Sequence, residues 1–357
     1  MADKKYYDGT KLLSLRDIDG DIPDIYMVVS NNTAGKTTYF NRIATNRFLK
    51  KNQKFVLFVR FAVQLQNIAN RFFGDIQDLF FNDYIMTQET LVKDSIVGLY
   101  IQKRGSEAPP VNCGYAISLN AADKVKENSH MLNDGDGIYF DEFQSQTNHY
   151  CPDEINKFWA CIVAISRGNG KQHRRVPIYM MSNPITMLNP YYMQWDIPAR
   201  LQKDTHFLKG SGWVMEYTVN TAASEALKKS GIGKAFANSP LLAYSADASY
   251  LNDSDNFIEK IKGNAKYLAT LIYKNEYYSI KEYRDKGIVY IDNRYDITFP
   301  YKVALTTFDH NEQTILKGYD LSLCYDMKKF YESGCVRFRN IKCKNVFFQM
   351  LKNVRLV

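Results

Sequence analysis

The sequence predicts an α/β fold built on a phosphate-binding loop, followed by a linker and a smaller β-rich domain. Three observations carry that expectation. The first is the apolar run Ile25-Tyr26-Met27-Val28-Val29, which leads directly into Ser30-Asn31-Asn32-Thr33-Ala34-Gly35-Lys36-Thr37-Thr38. The second is the apolar run Ile138-Tyr139-Phe140, which ends in the adjacent acids Asp141 and Glu142. The third is a change of texture near residue 207, where glycines gather before β-rich runs resume at residue 257.

The first stretch reads as strand, tight loop and helix, the context that the pattern G-x-x-x-x-G-K-[ST] requires. Gly35, Lys36 and Thr37 match it, and Ser30 replaces its first glycine. Gly35 lets backbone amides approach phosphate oxygens, Lys36 is placed to reach the β and γ phosphates of ATP, and Thr37 offers a hydroxyl to Mg²⁺. The first position mainly shapes the turn, so serine is tolerable there. Residues 30–38 are therefore the candidate nucleotide-binding set.

Phe40, Ile43, Ala44 and Phe48 follow at near-helical spacing, with Arg42, Arg47, Lys50 and Lys51 gathered late, as a helix C-terminus favours. Residues 55–59 form a continuous apolar run, expected as a buried central strand ending at Arg60. Arg60 is a candidate for the nucleotide site, with a salt bridge as the alternative. Leu65, Ile68, Ala69, Phe72 and Phe73 make the next helix face. Residues 96–101 and 114–118 read as strands, and residues 120–129, small and polar with Lys124 and Lys126, as an exposed loop.

An apolar strand ending in two acids matches a Walker B strand. Alternation along a strand turns Asp141 toward Mg²⁺ and Glu142 toward the γ-phosphate, where it can orient or deprotonate water. Ile155, Phe158, Trp159, Ile162 and Ile165 share one helix face, and the glycine-broken basic loop 166–175 follows. The strand 178–181 delivers Ser182-Asn183-Pro184 to its carboxyl edge, where α/β sheets bind ligands. Asn183 is thus a candidate contact for γ-phosphate or attacking water, and a turn initiated by Asn-Pro is the other reading.

Residues 207–256 are expected to be a linker or small lid around one helix at 221–230. Beyond them, residues 268–273, 277–283, 288–291 and 302–306 read as strands before a helical, basic end. The expected domains are therefore 1–206, 207–256 and 257–357.

Composition narrows the function classes. The formal charge is +8, and residues 327–357 hold eight basic side chains against the single acid Glu332, a balance that suits phosphate backbones. The six cysteines form no C-x-x-C pair, which fits free thiols in a reducing compartment. No apolar run approaches the ~20 residues of a membrane span and the start is no signal peptide, so the expectation is a soluble, intracellular chain without a membrane partner.

Taken together, several passages resemble the DNA-packaging (encapsidation) ATPases of small tailed phages of the phi29 type. They are the loop at residues 30–37, the strand ending Val59-Arg60, Phe140-Asp141-Glu142-Phe143, and Ser182-Asn183-Pro184 with Asn189-Pro190-Tyr191-Tyr192. Phe257-Ile258-Glu259-Lys260 and the passage from Gly287 to Asp292 continue the likeness through the second domain. The resemblance implies an ASCE/RecA-like P-loop ATPase domain, a small linker and an α+β RNase H-like C-terminal domain that is a vestigial nuclease. It also implies a homomeric ring, typically a pentamer, at the portal vertex of the empty capsid in the host cytoplasm, with portal, double-stranded DNA and a structural RNA as partners. Lys124 and Lys126 fall where the family places residues that grip DNA. In the basic loop, Arg167 first and Arg174 second are the candidates for an arginine supplied to a neighbouring subunit's site. A terminase-like nuclease and a non-motor nucleotide switch are the rival functions. The first is disfavoured by the missing acid in residues 268–272, since two-metal cleavage needs converging carboxylates.

Overall fold

A computed structural model describes residues 15–147, 149–168, 172–201, 205–250, 257–318 and 321–351, and divides the chain into two compact units. The first unit holds residues 1–195 and 201–252, and the second holds residues 196–200 and 253–357.

The first unit is a nine-stranded sheet in the order β3-β4-β5-β2-β6-β7-β1-β9-β8. Its strands are β1 (Ile25–Ser30), β2 (Lys54–Val59), β3 (Tyr84–Val92), β4 (Ile96–Lys103), β5 (Val111–Ser118), β6 (Gly135–Asp141), β7 (Ile178–Ser182), β8 (Phe207–Gly210) and β9 (Trp213–Thr218). From β5 to β9 in that order the neighbours are parallel, and antiparallel strands close both edges. Central parallel strands are covered on both faces, so they read as unbroken apolar runs, and Met27, Val28 and Val29 of β1 are fully buried. Between the strands run α1 (Lys36–Lys51), α2 (Ile68–Phe80), α3 (Ala122–Glu127), α4 (Glu154–Ser166) and α5 (Pro190–Gln194). Gly114 marks a close approach of β5 to β2: a Cβ there would sit 2.2 Å from the Phe55 carbonyl oxygen.

Two expectations need correction. The segment 207–256 is no linker: β8 and β9 extend the large sheet, β9 pairing in parallel with β1 from Ile25↔Trp213 to Ser30↔Thr218. The same unit goes on through α6 (Thr221–Lys229), α7 (Gly231–Ala235) and α8 (Pro240–Asp247), and residues 251–256 lie outside the described residues. Residues 120–129 are likewise no loop. Ala122 and Val125 are buried, which anchors a short helix there and leaves Lys124 and Lys126 exposed on it.

The second unit is a six-stranded sheet in the order β14-β13-β10-β11-β12-β15. It comprises β10 (Lys266–Tyr273), β11 (Glu276–Tyr283), β12 (Ile288–Asp292), β13 (Lys302–Ala304), β14 (Ile315–Leu316) and β15 (Val336–Phe338), with α9 (Ser322–Glu332) and α10 (Ile341–Leu351). The antiparallel meander β10-β11-β12 gains β13 and β14 in parallel beside β10, which is an RNase H-like arrangement. Leu271, Ile280, Val289, Val336, Phe338 and Phe347 fill its core.

Candidate nucleotide site

Three adjacent strands, β6, β7 and β1, end at the same edge of the large sheet, and each delivers polar side chains there. Gly35 takes a left-handed backbone, φ 89°, at the turn into α1, a conformation a side chain would strain. The amides of the first turn of α1 then point out of the helix N-terminus, where an anion is favoured.

Lys36 is buried, and its Nζ donates to Ser30 O at 3.1 Å, Ser30 Oγ at 3.0 Å, Asn31 O at 3.0 Å and Asn183 Oδ1 at 3.0 Å. Ser30 therefore does more than replace a glycine: its hydroxyl holds the lysine. Burial pushes the Lys36 ammonium down to about 8, a shift that the nearby Asp141 carboxylate partly offsets. Thr37 Oγ1 donates to Asp141 Oδ2 at 2.7 Å, and Asp141 Oδ1 accepts the Glu142 N–H at 2.9 Å. Burial also raises the Asp141 carboxyl, with the Thr37 and Glu142 hydrogen bonds opposing.

Glu142 sits in the left-handed region, φ 53°, and its side chain is exposed at the mouth of the site. The surrounding protein, and then the charge of Asp141, raise its carboxyl above the usual range. Two cavities meet at Glu142. One, of about 270 Å³, includes Thr37, Arg71, Asp141 and Glu142, and the other, of about 350 Å³, includes Glu142, Gln144, Ser182, Asn183 and Tyr244.

The remaining candidates fall elsewhere. The side chains of Asn31 and Asn32 are committed to the added helices: Asn31 Nδ2 donates to Asn220 O at 3.2 Å, and Asn32 Nδ2 to Ser245 Oγ at 3.1 Å. They anchor the loop, and with the Asn32 N–H also bonded to Ser245 O at 3.0 Å, any phosphate contact is left to the other backbone amides of the loop. Thr33 is exposed with φ 58°, Ala34 is buried, and Thr38 lies in the first turn of α1.

Arg60 does not offer its guanidinium to a nucleotide. Its Nε pairs with Glu154 at 3.0 and 2.9 Å, and its terminal nitrogens donate to Glu142 O at 3.4 Å and Phe143 O at 2.7 Å. Tyr191 Oη and the Cys151 N–H satisfy the other lone pairs of Glu154. A buried pair survives only when bonded this fully, and this one props the backbone turn that carries Glu142.

Arg174 is likewise spoken for. It donates to Ile165 O at 2.9 Å and pairs with Asp136 at 3.6 Å, at the far end of β6 from Asp141. Arg167 is exposed at the C-terminal end of α4, and Lys171 of the same loop lies outside the described residues. Sequence reasoning did not find Arg71, Gln144 or Tyr244. Arg71 is exposed beside the two acids, its charge opposes the upward shift of both carboxyls, and its only signal is a cation in the first turn of a helix that follows a central strand. Gln144 Oε1 accepts the N–H groups of Ile185 and Thr186, tying the loop after β6 to the loop after β7.

The parallel sheet with these motifs at its carboxyl edge defines a RecA-like P-loop nucleotide-binding domain, here joined to an RNase H-like domain. The chain belongs to the podovirus DNA encapsidation protein (Gp16) family, whose family model matches residues 1–356. The DNA packaging protein of Bacillus phage phi29 is 23% identical over 362 residues, covering 100% of both chains. That of Bacillus phage B103 is 25% identical over 340 residues, 92% of this chain and 97% of the relative. The fold is similar to that in the solved bacteriophage Phi-29 viral genome packaging motor assembly, with a TM-score of 0.67 at 22% identity over 98% of this chain and 100% of that one.

Proposed function

We propose that this chain is a Mg²⁺-dependent ATPase that drives double-stranded DNA into a preformed phage capsid as one subunit of a homomeric ring. The observation that carries the reading is the convergence of Lys36, Thr37, Asp141, Glu142 and Asn183 on one sheet edge, in a chain that matches a DNA encapsidation family from end to end. Lys36 neutralises phosphate charge, Asn183 senses the γ-phosphate through the same lysine, and Glu142 orients the attacking water and takes its proton. Thr37 and Asp141 present hydroxyl and carboxylate oxygens 2.7 Å apart, a hard oxygen set that suits Mg²⁺. Bound there with ATP, the ion supplies charge neutralisation to the phosphates.

Because the buried lysine is already losing its proton near pH 8, while phosphate contact favours the charged form, ATP binding above that pH takes up a proton. Affinity is expected to fall by up to about tenfold per pH unit above pH 8. Calorimetry at pH 9 in two buffers of different ionisation heat reads the uptake, and equal heats in both would contradict it.

For the DNA contact, Lys124 and Lys126 stand exposed on α3. A motor that moves along DNA holds phosphates rather than reading bases, so DNA-stimulated ATP hydrolysis is expected to weaken with salt and ignore sequence. Alanine at both positions should lower the stimulated rate and flatten its salt dependence by about two contacts, and an unchanged salt slope would remove α3 from this role.

The second unit suits binding better than cleavage. β10 carries no acid, and Asp292 of β12 is engaged by Lys281 at 3.0 Å and Arg339 at 3.5 Å. Among the described residues no group of three or more His, Cys, Asp or Glu side chains is placed to hold a metal. The reading is therefore a vestigial nuclease domain that contacts nucleic acid or capsid.

The position of Arg167 supports the ring reading. The 13 residues of α4 start at Glu154, beside Arg60, and at about 1.5 Å each carry the chain roughly 20 Å away, toward the opposite edge of the sheet. An arginine there serves a neighbouring subunit's site better than its own. The portal, a structural RNA and a pentameric ring at the portal vertex belong to the same proposal.

A further inference from the structure

Two residues past Glu142, Gln144 is 2% exposed and forms part of the wall of the cavity of about 350 Å³ that also holds Glu142, Ser182 and Asn183. Its side chain reaches from the loop after β6 to the loop after β7, where Oε1 accepts the Ile185 N–H at 3.0 Å and the Thr186 N–H at 3.2 Å. Backbone N–H groups only donate, so the atom that meets them is the carbonyl oxygen, and the orientation of the amide is fixed. The NH₂ group is then the end left over. Nε2 is buried and has no hydrogen-bond partner among the described residues.

A buried donor without an acceptor is costly and rare, and its position says where the missing partner comes from. Of the buried side-chain atoms that lack a partner among the described residues, Gln144 Nε2 is the one whose residue lines the Glu142 cavity. Two other donors on the same wall are bonded within the protein: Ser182 Oγ donates to Asn183 O at 2.7 Å, and Arg60 Nη2 donates to Phe143 O at 2.7 Å. The acceptor for Gln144 is therefore supplied by what enters the cavity. Glu142 and Asn183 flank the same space, and in the ATPase reading they face the transferred phosphate, whose oxygens are strong acceptors.

We infer that Gln144 is a further catalytic residue: its Nε2 donates to an oxygen of the transferred phosphoryl group of ATP, while its Oε1 holds the loop that carries Asn183. One side chain thus ties the loop of the general base to the loop of the sensor and reads the phosphate between them. ADP has no such group, so the bond separates ATP from ADP. This inference rests on the ATPase reading.

The test is equilibrium binding of ADP and of a non-hydrolysable ATP analogue to the full chain with Mg²⁺, beside steady-state hydrolysis and thermal melting, for Gln144→Glu and Gln144→Met. Glutamate keeps an acceptor for the Ile185 and Thr186 amides, which favour its ionised form, and removes only the donor. Methionine removes donor and acceptor alike. In both variants the affinity for the ATP analogue relative to ADP is expected to fall about ten- to hundredfold, the range for a hydrogen bond to a charged group, with kcat falling at least as far. The melting temperature is expected to drop in Gln144→Met and to stay near wild type in Gln144→Glu. If Gln144 only ties the two loops, Gln144→Glu binds both nucleotides as the wild type does and Gln144→Met weakens both equally. An unchanged ratio of ATP-analogue to ADP affinity in either variant overturns the inference and leaves the ATPase reading standing. Absence of hydrolysis by the wild-type chain would instead overturn that reading, and the inference with it.

Discussion

ATP hydrolysis by Glu142→Gln is expected to fall by about 10²- to 10⁴-fold while ATP binding persists, because the amide keeps the shape of the side chain but gives up the general base. The geometry supports the separation. Lys36, Ser30 and Asn183 form one bonded group with no contribution from the Glu142 carboxylate, so phosphate capture does not depend on it. Glu142 itself stands at the junction of the two cavities, on a left-handed backbone held from behind by Arg60. Single-turnover hydrolysis together with equilibrium binding of a fluorescent ATP analogue checks both halves, and near-normal turnover in the variant removes Glu142 from its role.

Arg167→Ala is expected to cost roughly 10³- to 10⁵-fold in hydrolysis, the range for an arginine that meets transition-state charge from a neighbouring subunit. Mixing distinguishes this from an effect within one subunit. When Arg167→Ala and Glu142→Gln chains exchange subunits, some interfaces join an intact Glu142 to an intact Arg167, and activity should rise above that of either variant alone. If no ratio of the two gives recovery, Arg167 does not act across an interface. Arg174 is set aside for this role because Asp136 and Ile165 O already hold it.

The parts of the candidate site that were legible in the sequence share one property: each is written locally, at the end of a strand. Residues 25–38, 138–142 and 178–183 combine an apolar run with the polar residues that follow it, so strand and chemistry are read together. What was illegible depends on partners brought in by topology. Arg60 and Glu154 lie 94 positions apart, and a charge at a strand end reads the same whether it meets a phosphate or a buried carboxylate. The loop Asn31–Asn220 contact spans 189 positions, and the glycines around β8 and β9 look like a linker until β9 is found beside β1. Residues 120–129 misled for a different reason: α3 is six residues long, too short for a periodic signal, and its burial comes from packing on α4.

Packaging itself tests the central claim most directly. Empty capsids that carry their portal, with any structural RNA of the same phage, are combined with this protein, double-stranded DNA and ATP, and the DNA that becomes resistant to external nuclease is measured. The account predicts full-length protected DNA with the wild-type chain, none with a non-hydrolysable ATP analogue and none with Glu142→Gln. Protection that persists in Glu142→Gln, or vigorous ATP hydrolysis on these capsids with no DNA protected, would contradict it.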